Sequence, residues 1–140
     1  RPSVPGVRVS HRILQPDGWA RPKGYANGVS ARGRTIFFAG QIGWDAQQRF
    51  VGRDLVTQAK QALRNIVAIL AEDGAAPEHI VRLTWYVTDR AAYLAAGAEL
   101  GAAYREVMGK HFPAMTAVEV SSLMEAEAVV EIEATAVVPE

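Results

Sequence analysis

Two stretches of equal length, each opened by an aspartate and closed by a glycine, limit the folds available to this 140-residue chain. Asp54 precedes apolar residues at helical spacing, and Gly74 follows them. Asp89 and Gly109 bound a second such stretch. An aspartate side chain accepts free N–H groups of a helix's first turn, and glycine readily adopts the left-handed conformation that ends a helix. We therefore predict two helices of matched length, packed side by side.

The segments around these helices have the character of β-strands. Residues 80–88 lie between the helices and alternate apolar with polar side chains, as a half-buried strand does. Gly33 and Arg34 favour a two-residue turn of a hairpin. The predicted strands are residues 7–14, 29–32 and 35–39 (the two arms of that hairpin), 80–88, 116–120 and 128–138. Together these elements predict an α+β fold, a mixed β-sheet with two helices packed on one face.

One face of such a sheet has no cover within a single chain. A broad, partly apolar face of this kind favours contact with other copies, so an oligomer is expected. Residues 1–7 are interpreted as a flexible N-terminal arm and residues 8–140 as a single domain.

Composition excludes several classes of function. Fifteen basic and fifteen acidic residues give no net charge, which argues against binding to nucleic acid or to a membrane surface. There is no cysteine, and the three histidines lack metal-binding spacing, so no metal is expected. No Gly-rich loop has the strand-to-helix context of a phosphate cradle, and no cofactor is expected. Without a membrane-length apolar stretch or a signal-peptide pattern, a cytoplasmic location is the expectation.

Six short motifs occur in an order that is hard to obtain by chance. They are GYANGV at 24–29, FAGQI at 38–42, QAKQALRNI at 58–66, the strand ending in aspartate at 81–89, FPA at 112–114 and VVEIEA at 129–134. In order and spacing the chain resembles the Rid family (YjgF-like, reactive intermediate deaminases) over roughly residues 20–138.

The resemblance implies a chorismate-mutase-like fold and a homotrimer that binds a small-molecule metabolite in three clefts between subunits. Active members hydrolyse enamines and imines to a carbonyl product and ammonia. In them an arginine after the Pro-Ala motif holds the substrate's carboxylate, a glutamate of the last strand handles the water, and a tyrosine of the early loop lines the cleft. Here Met115 stands in place of that arginine, and Ala117 in place of a frequent cysteine.

The resemblance points to Glu131 and Tyr25 as catalytic residues. Glu133 competes with Glu131, because the interval from Met115 to Glu131 is one residue longer than in the family. Five residues are candidates for substrate binding, for which turn formation or interface packing is the alternative role: Gly40, Gln41, Trp85, Met115 and Ala117. Trp44 is a possible stacking partner of Trp85.

The predicted function is that of a RidA-like hydrolase, an enamine or imine deaminase whose specificity is altered by Met115. The alternative is a trimeric protein of the same fold that binds a metabolite without chemistry. An endoribonuclease, a label sometimes given to the family, is disfavoured by the zero net charge.

Overall fold

The computed structural model describes residues 8–140, so the predicted arm at 1–7 lies outside the described residues. The strands are β1 (Arg12–Leu14), β2 (Gly28–Ser30), β3 (Arg34–Phe37), β4 (Gln41–Ile42), β5 (Ile80–Val87), β6 (Ala114–Glu119) and β7 (Val130–Val138). The helices are α1 (Leu55–Glu72), α2 (Arg90–Ala95) and α3 (Gly97–Met108), and a short 3₁₀ turn at Pro77–His79 leads into β5.

The main sheet is mixed and has the strand order β3-β7-β5-β6. The central pair, β5 and β7, is antiparallel, whereas β5 and β6 are parallel and are joined through α2 and α3. Both β3 and β4 pair with β7, so they lie end to end along one edge of the sheet. Residues 38–40 connect them and belong to neither strand.

The hydrophobic core lies between this sheet and the two longer helices. Alternate residues of β5 and β7 point toward α1 and α3, which pack against each other. The core side chains include Leu63, Ile66 and Leu70 of α1, Leu100 and Tyr104 of α3, Leu83 and Trp85 of β5, and Val130 and Ile132 of β7. The predicted mixed α+β sheet with helices on one face is confirmed.

The predicted helix caps are confirmed as well. The Asp54 carboxylate accepts from Thr57 N at 3.0 Å, and these bonds to the carboxylate lower its pKa. The Asp89 carboxylate accepts from Ala92 N at 3.0 Å. Gly74 and Gly109 both have positive φ, at 66° and 72°, directly after the helical segments.

The predicted hairpin around Gly33 is wrong. β2 pairs with β1 in a separate two-stranded sheet, whereas β3 pairs with β7. A β-carbon at Gly33 would overlap the carbonyl of Val138, so the glycine serves close contact with β7 rather than a tight turn. The strand predicted at 7–14 is confined to Arg12–Leu14 among the described residues.

The second helix is broken, not continuous. α2 ends at Ala95, Ala96 leaves the ideal helical conformation at φ −92° and ψ 12°, and α3 begins at Gly97. Glycine disfavours a helix interior by about 1 kcal/mol relative to alanine, which lowers the cost of a break here. The break lets α2 place Tyr93 edge-on to Trp85 while α3 packs along α1.

Candidate functional site

The sheet face opposite the helices carries a cluster of polar side chains. Arg82, Thr84 and Tyr86 of β5 lie beside Glu131 and Glu133 of β7, because cross-strand neighbours share a face. Beside them is a cleft of about 360 Å³, whose walls include Phe37, Arg82, Thr84, Glu133 and Thr135. We call this surface the open face.

Glu131 stands out on the open face because its carboxylate has no hydrogen-bond or ion-pair partner in the described part of the chain. It pairs through its backbone with Ile42 on one side and Tyr86 on the other. The side chain is half-buried, yet it forms no hydrogen bond or ion pair with any residue of 8–140. A β-carbon at Gly40 would overlap the Glu131 carboxylate, so the glycine provides the space that this carboxylate occupies.

Glu133 differs from Glu131 because its carboxylate is occupied. Tyr86 Oη donates a hydrogen bond to Glu133 Oε1 at 2.7 Å. This bond raises the pKa of Tyr86 above its usual value of 10.0, and desolvation and the negative charges of Glu133 and Glu131 raise it further. The phenol holds Glu133 in place, which leaves Glu131 as the carboxylate available to a ligand.

A second concavity lies on the helix side of the sheet and has a volume of about 370 Å³. We call it the helix-side pocket. Its walls are rich in aromatic and apolar side chains, namely Trp85, Tyr93, Tyr104, Phe112 and Met115. Lys23 and Arg105 are its two cationic residues.

Three further candidates are Tyr25, Gln41 and Ala117. Tyr25 is about one-third exposed. In the same loop, Ala26 N donates a hydrogen bond to Pro113 O at 3.0 Å, so the loop runs along the outer edge of β6. Gln41 Nε2 donates to the backbone of Ala39 at 3.1 Å, a local turn contact. Ala117 is exposed on β6, in register with Trp85.

The two tryptophans have separate aromatic neighbours. Trp44 packs against Phe50 with ring centroids 5.8 Å apart, in the loop before α1. Trp85 is only 4% exposed and packs against Tyr93 at 6.1 Å. The joint stacking wall of Trp44 and Trp85 for a planar substrate stays a prediction, because neither contact tests it.

The predicted site residues fall into two groups on opposite faces of the sheet. Glu131 and Gly40 belong to the open face, whereas Met115, Ala117 and Trp85 lie in register on the helix side. Within one chain, Glu131 and the three candidates of the helix side therefore do not share one cleft.

Sequence reasoning missed several residues of these surfaces. Tyr86 could have been found, because the alternation of residues 80–88 puts it on the same face as Arg82. Lys23, Tyr93 and Arg105 come together only through tertiary packing, and no local pattern indicates that meeting.

The histidines are closer than their sequence positions indicate. His11 and His111 have ring centroids 6.3 Å apart, and His111 Nε2 lies 2.7 Å from the carbonyl of Ile80. No group of three or more histidine or carboxylate side chains within residues 8–140 is arranged to hold a metal ion. In the same part of the chain, no helix is both long and apolar enough to span a membrane.

Comparison with known proteins agrees with this architecture. The profile of the endoribonuclease L-PSP family matches residues 19–138. A RutC family protein of Pyrococcus abyssi is 38% identical over 105 residues, which is 74% of this chain and 79% of that protein. The 2-iminobutanoate/2-iminopropanoate deaminase of Salmonella typhimurium is 34% identical and covers 81% of this chain, with 86% of its own length aligned.

A solved structure gives the same result in three dimensions. The conserved Rid-family protein YyfB of Yersinia pestis, whose function is unknown, superposes with a TM-score of 0.81 at 32% identity. The superposition covers 92% of this chain and 99% of that one. Sequence, strand order and superposition agree: the chain belongs to the endoribonuclease L-PSP family, the Rid or YjgF-like proteins.

Proposed function

We propose that this protein is a RidA-like deaminase, which hydrolyses an enamine or imine to a carbonyl compound and ammonia. The observation that carries the proposal is the carboxylate of Glu131, which lies beside Gly40 on the open face and has no partner among residues 8–140. The name of the Salmonella typhimurium relative, an imine deaminase, supports the reaction class.

The chemistry requires one group that moves a proton. Glu131 takes a proton from water as the oxygen forms its bond to the carbon of C=N, and it then passes this proton to the nitrogen. The resulting carbinolamine loses ammonia when the carbon–nitrogen bond breaks, and a C=O group remains. An enamine first takes a proton on carbon to become the imine. In this scheme Tyr25 orients the substrate, and the Gly40–Gln41 backbone contacts its polar end.

The proposed site lies between the copies of a homotrimer. Glu131 and Met115 lie on opposite faces of one chain's sheet, so one cleft can contain both only when a second copy supplies one of them. The open face also carries Phe37, which is 80% exposed, and Val118 at the outer strand. Apolar side chains exposed on a sheet favour contact with another copy.

A metabolite-binding protein without chemistry is the second candidate, and Met115 is the observation that favours it. Methionine cannot hold a carboxylate by a two-pronged ion pair as an arginine does. Met115 instead contributes a flexible, apolar wall to the helix-side pocket.

The test is the rate of carbonyl product formation from an imine generated in the assay by an amino-acid oxidase. We expect the full chain to exceed the uncatalysed rate in water. Glu131→Gln should lower the catalysed rate by about 100-fold or more, since general acid–base catalysis contributes roughly that much. Glu133→Gln is the matched control and should lower it by less than about 10-fold.

Two results would overturn the deaminase proposal. One is a product rate with the wild-type protein that equals the background rate for every imine supplied. The other is a Glu131→Gln variant as fast as wild type. Calorimetric binding of the keto acid without any acceleration would establish the binding protein instead.

A further inference from the structure

The helix-side pocket combines aromatic walls with two cationic side chains. Trp85, Tyr93 and Met115 offer flat, polarisable surfaces, against which a ring packs favourably. The pocket's volume of about 370 Å³ is near the lower end for small-molecule sites, so it suits one ring-sized metabolite better than a large cofactor.

Three glycines contribute to the space in this pocket. Gly24, Gly97 and Gly101 all line it, and Gly97 and Gly101 are one helical turn apart on α3. A β-carbon at Gly97 would meet no atom within 4 Å, so the pocket is open above that position. A β-carbon at Gly101 would lie 3.3 Å from Arg105 Nη1, so the guanidinium lies back along the helix toward the pocket.

The two cations of the pocket are not neutralised by the protein. Neither the Lys23 ammonium nor the Arg105 guanidinium forms an ion pair or hydrogen bond with any residue of 8–140. Both side chains belong to exposed residues, so a bound anion can reach them from solvent. Both cations are therefore available to pair with the anionic end of a ligand that enters the pocket.

The indole ring of Trp85 forms part of the pocket wall. Its Nε1 atom is buried and has no hydrogen-bond partner within the described part of the chain. Because the protein encloses this atom, a ligand in the pocket reaches the rest of the ring and not the Nε1 donor.

We propose that the helix-side pocket binds an aromatic 2-oxo or 2-imino acid, with its ring against Trp85, Tyr93 and Met115 and its carboxylate held by Arg105 and Lys23. The proposal rests on the proposed deaminase function for the imino form, and it makes aryl imino acids the substrate class. Arg105 is then a specificity-determining residue that replaces the carboxylate clamp.

Calorimetry with three probes tests the pocket without depending on turnover. Phenylpyruvate carries both ring and carboxylate, pyruvate lacks the ring, and benzyl methyl ketone lacks the carboxylate. We expect phenylpyruvate to bind at least about 10-fold more tightly than either truncated probe, because each lost group removes a kilocalorie or more of interaction. Equal affinities for phenylpyruvate and pyruvate would overturn the aromatic assignment.

Two pairs of variants locate the binding. Arg105→Gln should weaken phenylpyruvate binding by about 3- to 10-fold and leave binding of benzyl methyl ketone unchanged, whereas Arg90→Gln, an exposed arginine outside the pocket, should change neither. Gly97→Leu should abolish binding by filling the space above α3, while Ala98→Leu, at the next and exposed position, should not. Unchanged binding in Gly97→Leu would refute the pocket.

The outcomes separate this inference from the deaminase proposal. Phenylpyruvate binding that depends on Arg105 and Gly97, without acceleration of imine hydrolysis, keeps the aromatic site and rejects the enzyme. Hydrolysis of small aliphatic imino acids only, with no binding of phenylpyruvate, keeps the enzyme and rejects the aromatic site.

Discussion

At the scale of single residues, two chemically identical carboxylates on one strand have different surroundings. Glu133 accepts a hydrogen bond from Tyr86 and is held by it, whereas Glu131 has no partner among residues 8–140 and lies over Gly40. Alternation along a strand puts both side chains on one side, but the sequence does not distinguish between them. The choice depends on which cross-strand neighbour each side chain meets, and that follows from the register of β5 against β7.

Gly40→Ala tests the link between the glycine and Glu131. The added methyl group would displace the carboxylate end of a flexible side chain, so we expect the fold to survive with a loss below about 1 kcal/mol and imine hydrolysis to fall by 10-fold or more. In the double variant with Glu131→Gln, adding Gly40→Ala should cost little more. Full additivity of the two losses in measured rate would contradict this link.

The tyrosines make the protein sensitive to alkaline pH. Burial raises the pKa of Tyr93 and Tyr104, and the hydrogen bond to Glu133 raises that of Tyr86. Above the unfolded-state value of about 10 the unfolded chain has lost these protons while the folded chain keeps them, so the free energy of unfolding falls as pH rises through and above 10. Urea unfolding at pH 9 to 11 should show this fall, and it should be smaller in Tyr93→Phe. An equal fall in both proteins would contradict the assignment to Tyr93.

At the scale of elements, the sequence predicted the helix ends correctly, because short-range interactions determine them. The caps at Asp54 and Asp89 and the stops at Gly74 and Gly109 are in place, because each acts within one helical turn. The pairing of β3 was not predictable from its turn residues, since its partner β7 lies 100 residues away. The break at Ala96 was not predicted either; in the structure Tyr93, three residues before it, packs against Trp85.

One buried polar side chain joins α1 to two other segments. Gln58 Nε2 donates to Gly52 O at 3.0 Å and to Glu127 O at 2.9 Å, while Gln58 Oε1 accepts from Val129 N at 2.9 Å. The side chain is fully buried, so each bond replaces one that water cannot make. Gln58 thus fixes the loop before α1 and the approach to β7.

Gln58→Leu should therefore be costly. It removes the side-chain partner of the Gly52 and Glu127 carbonyls and of the Val129 N–H, and we expect the free energy of unfolding to drop by about 2–4 kcal/mol. Gln61→Leu is the matched control on the same helix, because Gln61 bonds only to Asn65 among the described residues; its loss should stay below about 1 kcal/mol. Chemical denaturation of both variants measures the difference. Equal losses in the two variants would show that the three hydrogen bonds of Gln58 add no measurable free energy of unfolding.

At the scale of the whole molecule, the distribution of functional groups over the two faces of the sheet is the central feature. The open face presents Glu131, and the helix side presents Met115 and the aromatic pocket. Alternation predicts which residues of one strand share a face, but which faces of β6 and β7 coincide follows from how both strands pair with β5, and no local pattern indicates that pairing. A complete site, in our account, is formed only where the open face of one copy meets the helix-side pocket of the next.

Mixing two inactive variants tests that claim most directly. Glu131→Gln disables the open face and Gly97→Leu fills the helix-side pocket, so in a trimer assembled at random from equal amounts about one cleft in four receives both intact halves. After joint unfolding and refolding, with subunit exchange verified by native mass spectrometry of tagged chains, we predict imine hydrolysis at about a quarter of the wild-type rate. Mixed trimers no more active than either parent would contradict a site shared between copies.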